Sequence, residues 1–166
     1  MRTLSVWLVV LVAAGLLAGC KELRDMCKGG PTEAAPPEVK VLPSEVALEV
    51  EDFTKLDEAE VKDLVGASGG KAVLFDSEIS GAETSVLLTK GTWEVTLHMQ
   101  GGDSEHDAVY LSVAGIEERL FPEEADKVMA VESFSVQVTK DGLVKVVLLA
   151  AETGVYLDKV VLKKAP

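Results

Sequence analysis

Cysteine is nearly absent: Cys20 and Cys27 are the only two in 166 residues. One pair at most cannot form a disulfide scaffold, so the fold must rest on a core or a bound metal. Histidine is as scarce, with only His98 and His106. A His/Cys metal cluster is therefore excluded. Aromatic residues make up 5% of the chain. Positive charge is also short: 16 Lys and Arg face 28 Asp and Glu, a formal net charge of −12. That balance excludes nucleic acid as a partner, because its phosphates need cations to displace counterions. It also opposes electrostatic adhesion to anionic lipid. The one long apolar run, Leu4 to Leu17, is shorter than the ~20 residues that span a bilayer.

What the first residues do hold is a targeting pattern. Met1-Arg2 is a short positive start, the apolar run follows, and Leu17-Ala18-Gly19-Cys20 closes it with small residues. The run LAGC resembles the lipobox of bacterial lipoproteins. The resemblance implies a signal peptide over 1–19 and lipidation of Cys20. Several acyl chains on one Cys would anchor it to a bilayer. Lys21, rather than Asp, follows the Cys, which by the same resemblance implies sorting to the outer membrane of the cell envelope. An ordinary secretion signal ending in Cys is the alternative. With Cys20 lipidated, Cys27 is a free thiol or an intermolecular bridge. Residues 20–44 then read as the lipidated Cys and a tether. KGGPTEAAPPEVKVLP (28–43) holds four of the six prolines, a composition that stays extended and semi-rigid.

From residue 45 to 166 the pattern becomes period two, one domain by length. Val46, Leu48 and Val50 alternate with Ala47, Glu49 and Glu51. Trp93, Val95, Leu97 and Met99 alternate with Glu94, Thr96, His98 and Gln100. AVYLSVAG is β-rich, and VYLDKVVLK closes the chain. FSVQVTKDGLVKVVLL (134–149) reads as a hairpin turning at Asp141-Gly142. TKLDEAEVKDLV (54–65) reads as a loop with one helical turn, because Thr54 and Asp57 have capping-box spacing. Short strands separated by Gly-containing turns predict an all-β antiparallel sandwich or barrel.

GASGGKAVLF (66–75) raises the sharpest functional question. Its start satisfies G-x-S-x-G, yet a nucleophile elbow needs a helix after the serine. Here an apolar, β-like run follows. A phosphate loop would need Ser or Thr after Lys71 and a helix beyond, and Ala72 stands there. The remaining reading is a Gly-permitted turn into a strand. No paired acid–base constellation or activated nucleophile appears, so the chain does not read as an enzyme.

Four motifs in order, ALEVEDF (47–53), ASGGKAV (67–73), KGTWEVTL (90–97) and YLDKVVL (156–162), resemble the carbohydrate-binding modules of families 6 and 35. The resemblance covers residues 46–164. It implies a jelly-roll β-sandwich of galactose-binding-like architecture and a structural calcium. Carried over, the calcium ligands are Glu49, Glu51 and Asp158, with backbone carbonyls from around Ser68 to Lys71. The donor types suit calcium, which takes carboxylate and carbonyl oxygens. The alternative is that Glu49 and Glu51 are ordinary solvated acids.

The resemblance also implies a glycan ligand. Sugar-binding members present aromatics on loops. Here Trp93 reads as core, and Phe53, Phe75 and Phe134 sit at strand positions. The candidate loops are 101–107, 121–127 and 150–154, which offer Asp103, His106, Asp107, Glu123, Glu124 and Glu152; with Tyr156 at the edge of the last strand, the candidate ligand-binding residues are Tyr156, Asp103, His106 and Glu152. They offer hydrogen bonds without a stacking platform. Two functions follow. One is a lipid-anchored, non-catalytic module binding polysaccharide or cell-wall glycan. The other is a structural or protein-interaction lipoprotein that uses the same fold without sugar.

Overall fold

Alternating apolar positions give nearly every segment after residue 44 one wet and one dry face. The computed structural model describes residues 43–103, 107–124, 127–131 and 133–166, and shows twelve strands among them. In chain order these are β1 (Glu45–Glu49), β2 (Lys55–Asp57), β3 (Ala59–Asp63), β4 (Lys71–Phe75), β5 (Gly81–Leu88) and β6 (Gly91–Gln100). They continue with β7 (Val109–Val113), β8 (Ile116–Leu120), β9 (Met129–Ala130), β10 (Phe134–Val138), β11 (Gly142–Ala150) and β12 (Val155–Lys164). The signal-peptide segment 1–19, Cys20 and the tether up to residue 42 lie outside the described residues.

Two antiparallel sheets form. The first runs β10-β6-β12-β4-β3, with β1 also paired to β12 and β9 to β6; the second runs β2-β5-β11-β7-β8. Their inner faces meet over a core that includes Trp93, Phe75, Leu97, Met99, Leu111, Leu148, Leu157 and Leu162. Trp93 is 1% exposed and its indole N–H donates to the Thr89 carbonyl at 2.9 Å. A buried indole needs such a partner. The core reading of this residue holds.

Two sequence expectations are corrected. β10 and β11 are not a hairpin. β10 pairs with β6 in the first sheet and β11 with β5 and β7 in the second. Both strands have an apolar face, so crossing between sheets at Asp141-Gly142 buries both against the same core. The Asp141 carboxylate fixes the crossing by accepting the Lys90 N–H at 2.6 Å. Segment 54–65 is not helical either. β2 pairs with β5, and β3 pairs with β4. Thr54 caps no helix; its hydroxyl donates across to the Glu83 carbonyl. Sheet pairing offered this segment partners for its backbone that one isolated helical turn lacks.

Candidate functional site

The 66–75 stretch forms the first site. Ser68–Gly70 is a short 3-10 turn that opens directly into β4. Gly69 and Gly70 have φ of +62° and +76°, a region that favours glycine. No helix follows Ser68, so the nucleophile geometry is absent. Instead the turn grips two acids. The Ser68 N–H donates to Asp158 Oδ1 at 2.6 Å, and its hydroxyl donates to Glu49 Oε1 at 3.0 Å.

Asp158 reaches inward because β12 carries a bulge there. Leu157 pairs with Met99 and Lys159 with His98, leaving Asp158 between them. The extra residue re-aims a side chain and resets the alternation. Asp158 ends up 2% exposed, while Val160 and Leu162 return to the core.

Glu51 arrives by a different route from the one its i, i+2 spacing predicts. β1 ends at Glu49, and Val50–Asp52 is a 3-10 turn. The turn, not strand pleat, brings Glu51 in. A Cβ on Gly69 would lie 3.9 Å from Glu51 Oε1, so turn and carboxylate are neighbours. Glu49 Oε2 and Glu51 Oε2 are both buried without a hydrogen-bond partner. Burial pushes the Glu51 carboxyl above its ordinary range. Its own backbone N–H opposes the shift, and the charges of Glu49, Asp52 and Asp158 add to it. Among the described residues, no three Asp, Glu, His or Cys side chains close a metal cage unaided. The turn carbonyls of Ser68 and Gly70 each accept one backbone N–H, which leaves a carbonyl oxygen a second lone pair. Orphaned carboxylate oxygens beside such carbonyls fit a hard, oxygen-binding cation such as calcium.

The second site lies where the connections after β4, β6 and β11 meet. The Gly154 N–H donates to the Phe75 carbonyl at 2.6 Å, and that of Ala150 to Ser80 at 3.0 Å. Glu152 is their clasp. Its Oε2 accepts the N–H groups of Asp107 and Ala108 at 2.8 and 3.0 Å, and its Oε1 accepts from Arg119. The Asp107 N–H holds the Glu152 carboxyl below its ordinary range. Burial opposes this, while the Ala108 N–H and Arg119 reinforce it. Both oxygens are thus occupied by protein donors, and Glu152 positions the loops around it.

The other candidates are scattered. Tyr156 lies half-buried on the outer face of the first sheet, between Gln100 and Leu74. Asp103 is exposed in the β6–β7 connection. His106 lies outside the described residues. His98, on the outer face near Asp158, has its pKa lowered, first by burial and then by the Lys159 ammonium.

An exposed aromatic ring in the 121–127 loop, not singled out in the sequence, stands beside the clasp. Phe121 is 59% exposed. It lines an open cavity of about 640 Å³ with Arg119, Glu123, Met129 and Val131. β8 ends at Leu120, and Pro122, which cannot donate to a sheet ladder, marks the loop that carries Phe121. A shallower hollow of about 400 Å³ lies by Leu74, Glu58, Glu60 and Asp76.

No protein-family model matches the chain, and no curated protein matches it. Solved structures do. A family 35 carbohydrate-binding module from Clostridium thermocellum superposes with a TM-score of 0.62 at 15% identity, covering 74% of this chain and 100% of that one. A family 35 module from Paenibacillus barcinonensis gives 0.59 at 19% identity, over 72% and 99%. The C-terminal family 6 module of LamC from Zobellia galactanivorans gives 0.56 at 12%, over 72% and 99%. The Podospora anserina mannanase of the GH26-CBM35 type scores 0.64 at 16% identity, and the chain spans 28% of its length. The described residues therefore form an antiparallel jelly-roll β-sandwich, the fold of the family 35 and family 6 carbohydrate-binding modules.

Proposed function

We propose that the protein is a non-catalytic glycan-binding module, stabilised by calcium and carried at the cell envelope on a lipidated Cys20. One observation carries the glycan reading. The exposed ring of Phe121 faces an open cavity whose cationic wall, Arg119, is held in place by Glu152. Sugar recognition needs an aromatic platform and oriented polar groups, and this cavity supplies both. Calcium rests on the orphaned oxygens of Glu49 and Glu51. The ion would be held by Glu49, Glu51 and Asp158 with turn carbonyls. It supplies charge balance and no chemistry. Lipidation rests on the LAGC pattern and the tether alone.

A glycan array probed with the protein tests this reading, with Phe121→Ala alongside. Binding to at least one polysaccharide, weakened tenfold or more by Phe121→Ala, is expected. Absence of binding to every glycan, with or without calcium, would leave the interaction-protein reading in its place. That second reading draws support from the apolar outer face of the second sheet.

A further inference from the structure

Two methionines lie among the described residues, and their settings are opposite. Met99 is fully buried in the core. Met129 is its Cα partner across β6 and β9, yet its side chain is only half-buried and lines the open cavity with Phe121 and Val131. Its backbone is held in place. β9 pairs with β6, and the Val131 N–H beyond it donates to the Leu97 carbonyl at 2.9 Å. Its sulfur holds something else in turn. It accepts the Glu124 N–H at 3.4 Å, which ties the loop after Phe121 back to the sheet. The Glu124 carboxylate reaches Lys127 at 2.6 Å, within the same loop. A thioether is a weak acceptor. One that faces an open cavity is also a target for oxidation to the sulfoxide.

Oxidation there would change two things together. The apolar wall of the cavity becomes polar beside the exposed Phe121 ring, and the loop's anchor changes from sulfur to a more strongly accepting oxygen. We propose that Met129 is an oxidation site for peroxide, and that its sulfoxide form resets the 121–124 segment and weakens glycan binding in the cavity. The balance is complete with peroxide alone. A sulfur lone pair attacks one peroxide oxygen, and an S–O bond forms as the O–O bond breaks. The proton on the transferred oxygen passes to the departing hydroxide, which leaves as water. Sulfur gives up two electrons and the peroxide takes them. The effect on affinity rests on the glycan reading; the oxidation and the response of the loop do not.

The test treats the full chain, in mild detergent, with dilute hydrogen peroxide. Met99 and Met129 fall in different tryptic peptides, 91–119 and 128–140, so mass spectrometry follows each. Met129 is expected to gain one oxygen at least about tenfold faster than Met99. The Glu124 amide resonance is expected to shift in the oxidised protein. Affinity for the polysaccharide bound most tightly on the array is expected to fall about fivefold or more, since an apolar contact turns polar. Methionine sulfoxide reductases of both stereospecificities are expected to reverse both changes. Met129→Leu keeps an apolar side chain without sulfur, and its affinity is expected to be indifferent to peroxide. Oxidation of Met129 no faster than that of Met99 would overturn the proposal. So would an oxidised Met129 with an unmoved Glu124 resonance, or a fall in affinity that Met129→Leu shares. An untreated protein that binds no glycan would remove the glycan reading, and the effect on affinity with it. The oxidation site would then be decided by the peptide rates and the Glu124 resonance alone.

Discussion

Ser68 shows how one residue can carry a motif and not its chemistry. Its hydroxyl and N–H are both spent on carboxylates, Glu49 and Asp158, so its role is to collect negative charge. Collected charge is costly without a counterion. Glu51 registers that cost. Its folded pKa is raised above the ordinary 4.5, first by burial, so the folded state favours the protonated form. With calcium chelated, the associated stability is present below that value and is lost as pH rises through the folded pKa. At neutral pH the ionised Glu51 is therefore a burden that a cation would relieve. Two outcomes follow for thermal unfolding at pH 7. Saturating calcium is expected to raise the wild-type melting temperature by about 5–10 °C over chelator, the range for a ligand at roughly a hundred times its Kd. Glu51→Gln is expected to melt above the wild type in chelator and below it in calcium. Curves that keep one order in both conditions would remove the calcium site.

At the scale of elements, the legible features were those written in one strand at a time. Trp93 in the core, the turn before β4 and the closing strand follow from period two and from glycine. Pairing across the sandwich did not. The Asp141-Gly142 step satisfies a hairpin rule locally, yet β10 and β11 belong to different sheets, because partner choice depends on strands distant in sequence. The Asp158 bulge is equally silent: alternation alone would aim Lys159 into the core. Glu152 reads in the sequence as a ligand-binding loop acid; that it instead clasps Arg119, 33 positions away, is written in neither segment. That clasp is testable on its elements. Glu152→Ala removes acceptors from two backbone N–H groups, and a hydrogen bond to a charged group contributes about 1.5–3 kcal/mol. Amide exchange at Asp107 and Ala108 is expected to quicken by roughly ten- to a hundredfold. Exchange at β12 amides is expected to stay unchanged, and acceleration there would show that Glu152 supports the whole domain instead.

The whole molecule is governed by its charge. An excess of 12 negative charges on 166 residues stretches the folded state through self-repulsion, and the unfolded chain spreads the same charges farther apart. Calcium at the proposed site and salt in the solvent would relieve this in distinguishable ways. Specific binding saturates near the Kd. Screening grows steadily as the Debye length falls from about 30 Å at 0.01 M to about 8 Å at 0.15 M. In chelator, raising sodium chloride across that range is expected to lift the melting temperature by a few degrees, continuously and with potassium equal to sodium. In saturating calcium the gain is expected to shrink, because an ion held by Glu49, Glu51 and Asp158 would already offset part of the charge. A melting temperature indifferent to salt in chelator would mean that the 28 acids lie far enough apart in the fold to ignore one another. The stability of this domain would then rest on its sandwich core alone.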